Sequence, residues 1–164
     1  MLPRTLLVLL AVVVAVALQG CAGHPTRVVR VGGETFDLSG LDEQRASVVT
    51  AALRQVGTPY VYGGSQPGRA LDCSGLTQYA HSAAGLDIPR VSVAQQAAAK
   101  PVRKAPTPGD LVFFKTGPSQ YHVGLMVDKD RFVHASTSKQ RVRLSSLSRA
   151  YWQQRYLGAG TYLR

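Results

Sequence analysis

The sequence predicts an α+β domain in which helices come first and an antiparallel sheet of about five strands follows. Two observations carry that expectation. Between residues 41 and 100 the apolar residues recur at helical spacing, whereas beyond residue 111 they gather in short β-branched or aromatic segments parted by Gly, Pro, Asp and Ser. Helical and strand periods that occupy separate stretches of chain indicate α+β architecture, since a parallel sheet would alternate them. At 164 residues the chain has room for one ordinary hydrophobic core and little room for a second.

The first element is not part of the fold. Met1-Leu-Pro-Arg4 is a short positive start, and Leu6 to Leu18 is an unbroken run of 13 apolar residues. That run is too short to span a bilayer comfortably and reads as the core of a signal peptide over residues 1–20. Leu18-Gln19-Gly20-Cys21 then resembles the lipobox of bacterial lipoproteins, although Gln19 stands where a small or hydroxyl residue is usual. The resemblance implies that Cys21 is lipidated and becomes the new N-terminus, tethering the domain to a membrane. Ala22, in place of an aspartate, implies the periplasmic side of the outer membrane in a host with two membranes. Residues 21–40 are then a lipid-attached tether with a possible hairpin, Val28 to Val31 and Thr35 to Leu38 flanking Gly32-Gly33.

The folded domain is expected over residues 41–164. From Leu41 to Val56 the set Val49, Ala52, Leu53 and Val56 marks a helix with one buried face, and Gly57 stands where a C-terminal cap belongs. Tyr60 to Leu71 is turn-rich and reads as a surface loop. Cys73 to Ala84 carries Leu76, Tyr79, Ala80 and Ala83 on one stripe and closes at Gly85, so Cys73 opens a helix. Ser92-Val-Ala-Gln95 has capping-box spacing and begins a short helix to about Lys100, after which Pro101, Pro106 and Pro108 break helical structure. The expected strands are Leu111 to Phe114, His122 to Val127, Arg131 to Ala135, Arg141 to Leu144 and Tyr156 to Leu163.

Charge narrows the partners. With Arg4 set aside, 18 basic residues face 9 acidic ones, a formal charge of +9. Such a surface favours polyanions, and an exported chain meets anionic lipid or acidic wall polymers rather than nucleic acid. The two cysteines, Cys21 and Cys73, would normally pair in an oxidising compartment. If Cys21 carries lipid, Cys73 is a lone free thiol, and that calls for a chemical explanation.

A cysteine in the first turn of a helix faces unpaired amides and the positive end of the helix dipole, which both favour the reactive thiolate. A thiol nucleophile also needs an imidazole to take its proton and a third polar group to orient that ring. His24 lies in the tether, and His81 lies more than two turns along the cysteine's own helix. His122 begins one strand and His134 ends the next. An odd-numbered loop around Asp128 would set the two rings across from each other on one face, whereas a two-residue turn at Lys129-Asp130 would put them on opposite faces. Zinc is the rival use for one cysteine and two histidines, but no metal-ligand spacing is present and these residues are scattered over 61 positions. Neither a metal nor another cofactor is expected.

Six segments then resemble the NlpC family of cell-wall peptidases in order and spacing: Tyr60-Val-Tyr-Gly-Gly, Asp72-Cys-Ser-Gly75, Pro89-Arg-Val-Ser92 with Gln95, Pro108-Gly-Asp-Leu-Val-Phe-Phe114, His122-Val-Gly-Leu-Met-Val127 and Phe132-Val-His-Ala-Ser136. The resemblance covers roughly residues 44–163. It implies a papain-like α+β fold with Cys73, His122 and His134 as nucleophile, base and orienting group. It also implies that Tyr60 and the Cys73 amide face the developing oxyanion, and that Tyr62, Asp72, Ser74, Arg90 and Ser92 line a substrate cleft. The implied activity is hydrolysis of peptidoglycan stem peptides between the γ-carboxyl of D-glutamate and the following diamino acid. Two other readings remain: a noncatalytic lipoprotein that binds peptidoglycan in the same cleft, and an amidase or acyltransferase on the same fold.

Overall fold

The computed structural model describes residues 27–164, so the expected signal peptide, Cys21 and most of the tether lie outside the described residues. The expected hairpin is present as β1 (Val28–Val31) and β2 (Glu34–Asp37), joined through Gly32 at φ +59° and Gly33 at φ +83°. Two successive left-handed residues make the tight turn that suits the twist of a hairpin, and glycine adopts them without strain. Phe36 and Leu38 carry the hairpin into the main core.

Helix α1 (Glu43–Leu53) starts at Asp42, whose carboxylate accepts the Arg45 N–H at 2.9 Å. The helix ends at Leu53, three residues short of the expected Val56. Gln55 to Thr58 turn instead, and Gly57, at φ +96°, donates its N–H to the Val142 carbonyl at 2.9 Å. The glycine therefore turns the chain out of the helix and onto the sheet. Residues 60–71 follow as a largely exposed loop that holds a two-residue hairpin, β3 (Ser65–Gln66) with β4 (Ala70–Leu71), pinned by the fully buried Leu71. Helices α2 (Cys73–Ser82) and α3 (Ser92–Ala98) come next.

The main sheet has six antiparallel strands where about five were expected: β5 (Lys100–Val102), β6 (Leu111–Gly117), β7 (Gln120–Met126), β8 (Arg131–Ser136), β9 (Arg141–Ser146) and β10 (Tyr156–Thr161), in the order β5-β10-β6-β7-β8-β9. The additional strand is β5. Pro101 reads in sequence as a breaker, but an edge strand tolerates a residue that cannot donate to the ladder. Alternate residues serve two faces. Leu111, Phe113, Val123, Leu125, Val133, Ala135 and Val142 pack with the helices in the larger core. Val112, Phe114, Met126 and Phe132 form a second core with Trp152. Trp152 comes from α4 (Ala150–Gln153), a single turn too short to show a period in the sequence.

The Pro108-Gly-Asp segment is a structural corner. Buried Asp110 accepts the Thr107 N–H at 2.8 Å and pairs with Arg45 of α1 at 3.0 Å, tying the start of β6 to the first helix. Gly109 sits at φ +93°, where a Cβ would lie 2.7 Å from Leu163. Among the described residues no helix is long and apolar enough to cross a membrane.

Candidate active site

Asp72 organises the start of α2. One carboxylate oxygen accepts the Gly75 N–H at 2.6 Å and caps the helix, and the other accepts the Gly63 N–H at 3.0 Å. Arg90 grips the same carboxylate with two parallel bonds of 2.9 Å, and also donates to Ser74 Oγ and the Gly64 carbonyl at 3.0 Å each. A fork matched to a carboxylate in this way fixes orientation as well as charge. Gly75 allows the close approach, because a Cβ there would stand 2.2 Å from the Gly64 carbonyl oxygen. The loop of residues 61–64 is thereby clamped onto the first turn of α2.

The expected capping box at Ser92 does not form. Val91 is the N-cap, no side chain caps the helix, and Ser92 is the first helical residue. The fully buried Gln95 is engaged elsewhere: its amide donates to the Ser74 and Pro89 carbonyls at 3.0 and 2.8 Å and accepts from Thr77 Oγ1 at 2.7 Å. Gln95 thus anchors α3 to the first turns of α2, because inward polar groups must find partners.

Cys73 occupies that first turn, partly buried against the larger core. Its sulfur meets the backbone amides of Val123, Ser74 and Cys73 itself, and these favour the thiolate, yet burial outweighs them and pushes the thiol above its ordinary pKa. Desolvation is therefore stronger here than the helix-terminus effect on which the sequence reading relied. The Val123 contact places the sulfur beside the residue that follows His122. Tyr60 lies near Cys73, Asp72 and Tyr62, with its own pKa raised by burial first and by those neighbours second.

The histidines share a face of the sheet, but not by the expected register. Leu125 pairs with Val133 and Met126 with Phe132, so the connection is odd-numbered and centred on Lys129 instead of Asp128. Asp128 sets that length by accepting the N–H groups of Asp130 and Arg131 at 3.0 and 2.7 Å. The rings meet diagonally, beyond the last β7–β8 pair of Leu125 with Val133. His122 Nε2 and His134 Nδ1 stand 2.9 Å apart. His134 Nε2 faces Ser145 Oγ at 3.0 Å. Burial lowers the pKa of His122 to about 4, and burial, aided by His122 and Arg143, holds His134 well below its ordinary value. Both rings are neutral near pH 7.

Trp152 stacks on His122, with centroids 5.6 Å apart and planes 20° apart, and meets His134 edge-on at 5.0 Å. Sequence reasoning missed both Trp152 and Ser145. Ser145 shares a strand face with Arg143, which pairs with His134, but the β8–β9 register that reveals this is not readable from spacing.

The structure thus gathers Cys73, Asp72, Ser74, Tyr60 and Arg90 around the start of α2, with the His122–His134 pair reached through Val123. Tyr62 is 90% exposed on the adjoining loop, and Ser92 is half-buried beside Arg90 at the start of α3. His81 takes no part. It is fully buried, its Nδ1 lies 2.8 Å from the Thr77 carbonyl, and its ring meets Tyr162 edge-on. Among the described residues no group of three or more His, Cys, Asp or Glu side chains is arranged to hold a metal ion.

Known proteins share this arrangement of chain. The probable endopeptidase NlpC of Escherichia coli is 37% identical over 153 residues, which cover 90% of this chain and 94% of that protein. A gamma-DL-glutamyl hydrolase of Bacillus subtilis is 42% identical over 119 residues, covering 68% of this chain and 28% of its own. The murein DD-endopeptidase MepH of Escherichia coli is 34% identical over 155 residues, covering 86% and 55%. Among solved structures, a lipoprotein-like protein of the NLP/P60 family from Staphylococcus aureus superposes with a TM-score of 0.67 at 34% identity, covering 75% of this chain and 42% of that one. The family model described as NlpC/P60 matches residues 57–161, from the glycine that turns the chain onto the sheet to the last residue of β10. With sequence and topology in agreement, this chain belongs to the NlpC/P60 family.

Proposed function

We propose that the chain is an exported cysteine peptidase that hydrolyses peptidoglycan stem peptides at the bond between D-glutamate, through its γ-carboxyl, and the following diamino acid. The observation that carries the reading is the His122–His134 contact of 2.9 Å, placed beside a thiol at the amide of Val123. Both partners rest uncharged, because burial raises the thiol and lowers His122. The proton therefore moves from sulfur to His122 during attack instead of beforehand. Sulfur bonds to the scissile carbonyl carbon, and Tyr60 and the Cys73 amide receive the charge that develops on oxygen. His122 returns the proton to the leaving amine, leaving a thioester. A water then attacks that thioester, giving its proton to His122, and the acid product departs with the thiol restored.

His134 orients His122 in this scheme. Tyr62, Ser74, Arg90 and Ser92 form the substrate side, with Asp72 holding Arg90 in place. The relatives' printed names divide between a γ-DL-glutamyl bond and a DD bond. A substrate rich in carboxylates, which a stem peptide cut at γ-D-glutamate supplies, suits the excess of basic residues on the chain, 18 against 9 acidic ones beyond Arg4. Incubation with defined tetrapeptide stems should release an L-alanyl-D-glutamate fragment. Cleavage only at the D-alanine crosslink, or release of free lactyl-sugar chains, would move the activity to another bond.

The proposal also includes export by the signal peptide over residues 1–20 and lipidation at Cys21, which hold the domain on the periplasmic face of the outer membrane. Feeding cells radiolabelled palmitate tests it, and an unlabelled, freely soluble mature protein would refute the anchor.

A further inference from the structure

We propose that Ser145 is a positioning residue that, through His134, holds His122 in the tautomer able to accept the thiol proton. The inference rests on the reading of His122 as general base. A neutral imidazole carries one N–H, and only one hydrogen fits between His122 Nε2 and His134 Nδ1 at 2.9 Å.

Two arrangements satisfy that contact. In the first, His122 donates from Nε2, so His134 must carry its proton on Nε2 and donate it to Ser145 Oγ, 3.0 Å away. His122 Nδ1 is then bare and can take a proton. In the second, His134 donates from Nδ1, its bare Nε2 accepts the Ser145 hydroxyl proton, and His122 carries its own proton on Nδ1, where it cannot serve as a base.

Ser145 is what makes the first arrangement tolerable in a buried setting. His134 is 3% exposed and Ser145 8%, and no other polar partner of His134 Nε2 is present among the described residues. Without the hydroxyl, the first arrangement strands a buried N–H donor, whereas the second strands only a bare acceptor, and orphaned buried donors are the rarer and costlier of the two. Once His122 has taken the thiol proton, both of its nitrogens carry hydrogen. His134 must then accept at Nδ1 and donate at Nε2, so the charged intermediate also needs Ser145 as acceptor. Arg143, across from His134 on β9, opposes placing the positive charge on His134 and keeps it on His122.

The test is long-range proton–nitrogen correlation spectroscopy of the intact mature chain labelled at histidine nitrogens, combined with kinetics on stem peptides. The native protein should show His122 as the Nε2–H tautomer. Ser145→Ala should convert it to Nδ1–H and lower kcat by about tenfold or more with KM little changed. Ser145→Thr, which keeps the hydroxyl on a strand that suits a β-branched residue, should restore both. A Ser145→Ala protein that keeps the Nε2–H tautomer overturns the inference, whether or not its kcat falls, because a purely structural role lowers activity without moving the proton. The tautomers are read without substrate. A native chain that leaves murein uncut therefore defeats the proposed function while the tautomer assignment is judged by itself.

Discussion

Individual side chains decide the chemistry, and their environments set its pH dependence. Cys73→Ser should retain the fold and lose activity by about 10³-fold or more, since a buried hydroxyl is far harder to deprotonate than a thiol; near-native turnover would sink the nucleophile assignment. His122→Ala should do comparable damage, whereas His134→Ala should cost less, about 10–100-fold, as expected for an orienting group. A larger loss at His134 would exchange the two roles. The resting pair being neutral makes a further difference. Alkylation of Cys73 by iodoacetamide should keep rising with pH well above neutrality, because burial pushes the thiol up. A rate already at plateau near pH 6 would show a preformed thiolate–imidazolium pair instead. Cys73, His122 and His134 could be singled out as candidates in the sequence because cysteine and histidine are scarce. Ser145 could not, because serine is common and only the β8–β9 register brings it to His134.

At the scale of elements, the helix that carries Cys73 is held from outside itself. Its first turn is fastened to the 61–64 loop by Asp72, Arg90 and the bare Cα of Gly75. Gly75→Ala should force that loop away and cost about 1–3 kcal/mol of stability by overpacking. Activity should fall as well, because the displaced loop leads back to Tyr60. Urea denaturation with parallel kinetics reads both, and a Gly75→Ala variant of native stability would mean that the contact is slack. Asp72→Ala should cost a similar amount, about 1–3 kcal/mol, through the lost cap and the loss of Arg90's carboxylate partner. Most of these elements were foreseen from period and punctuation. The ones that escaped were β3 and β4, two residues each within the expected loop, β5, whose proline suits an edge, and α4, whose single turn has no period to detect. The expected capping box at Ser92 failed because Gln95, which would have closed it, is fully buried and satisfies three partners within the core.

For the molecule as a whole, three buried histidines make stability a function of acidity. His81, His122 and His134 all have pKa values lowered by burial from an ordinary 6.5, His122 to about 4. The unfolded chain therefore binds more protons than the folded one in that window, so stability is fully present above about pH 6.5 and is lost as pH falls towards 4. The urea midpoint should drop steadily across that range, and a midpoint that holds or rises on acidification would contradict the buried, neutral state of these rings. The formal charge of +9 that remains with Arg4 set aside has its own signature: association with anionic murein should weaken as salt rises. The second core has an optical consequence. The chain's one tryptophan is Trp152, and it lies parallel to His122, so its emission reports on the ring proposed as the base. An imidazolium quenches indole fluorescence on contact, so the protein should dim as His122 gains a proton towards pH 4 and brighten again on return. His122→Gln should abolish that response. A stopped-flow fluorimeter could then follow the protonation state of His122 during turnover without any added label.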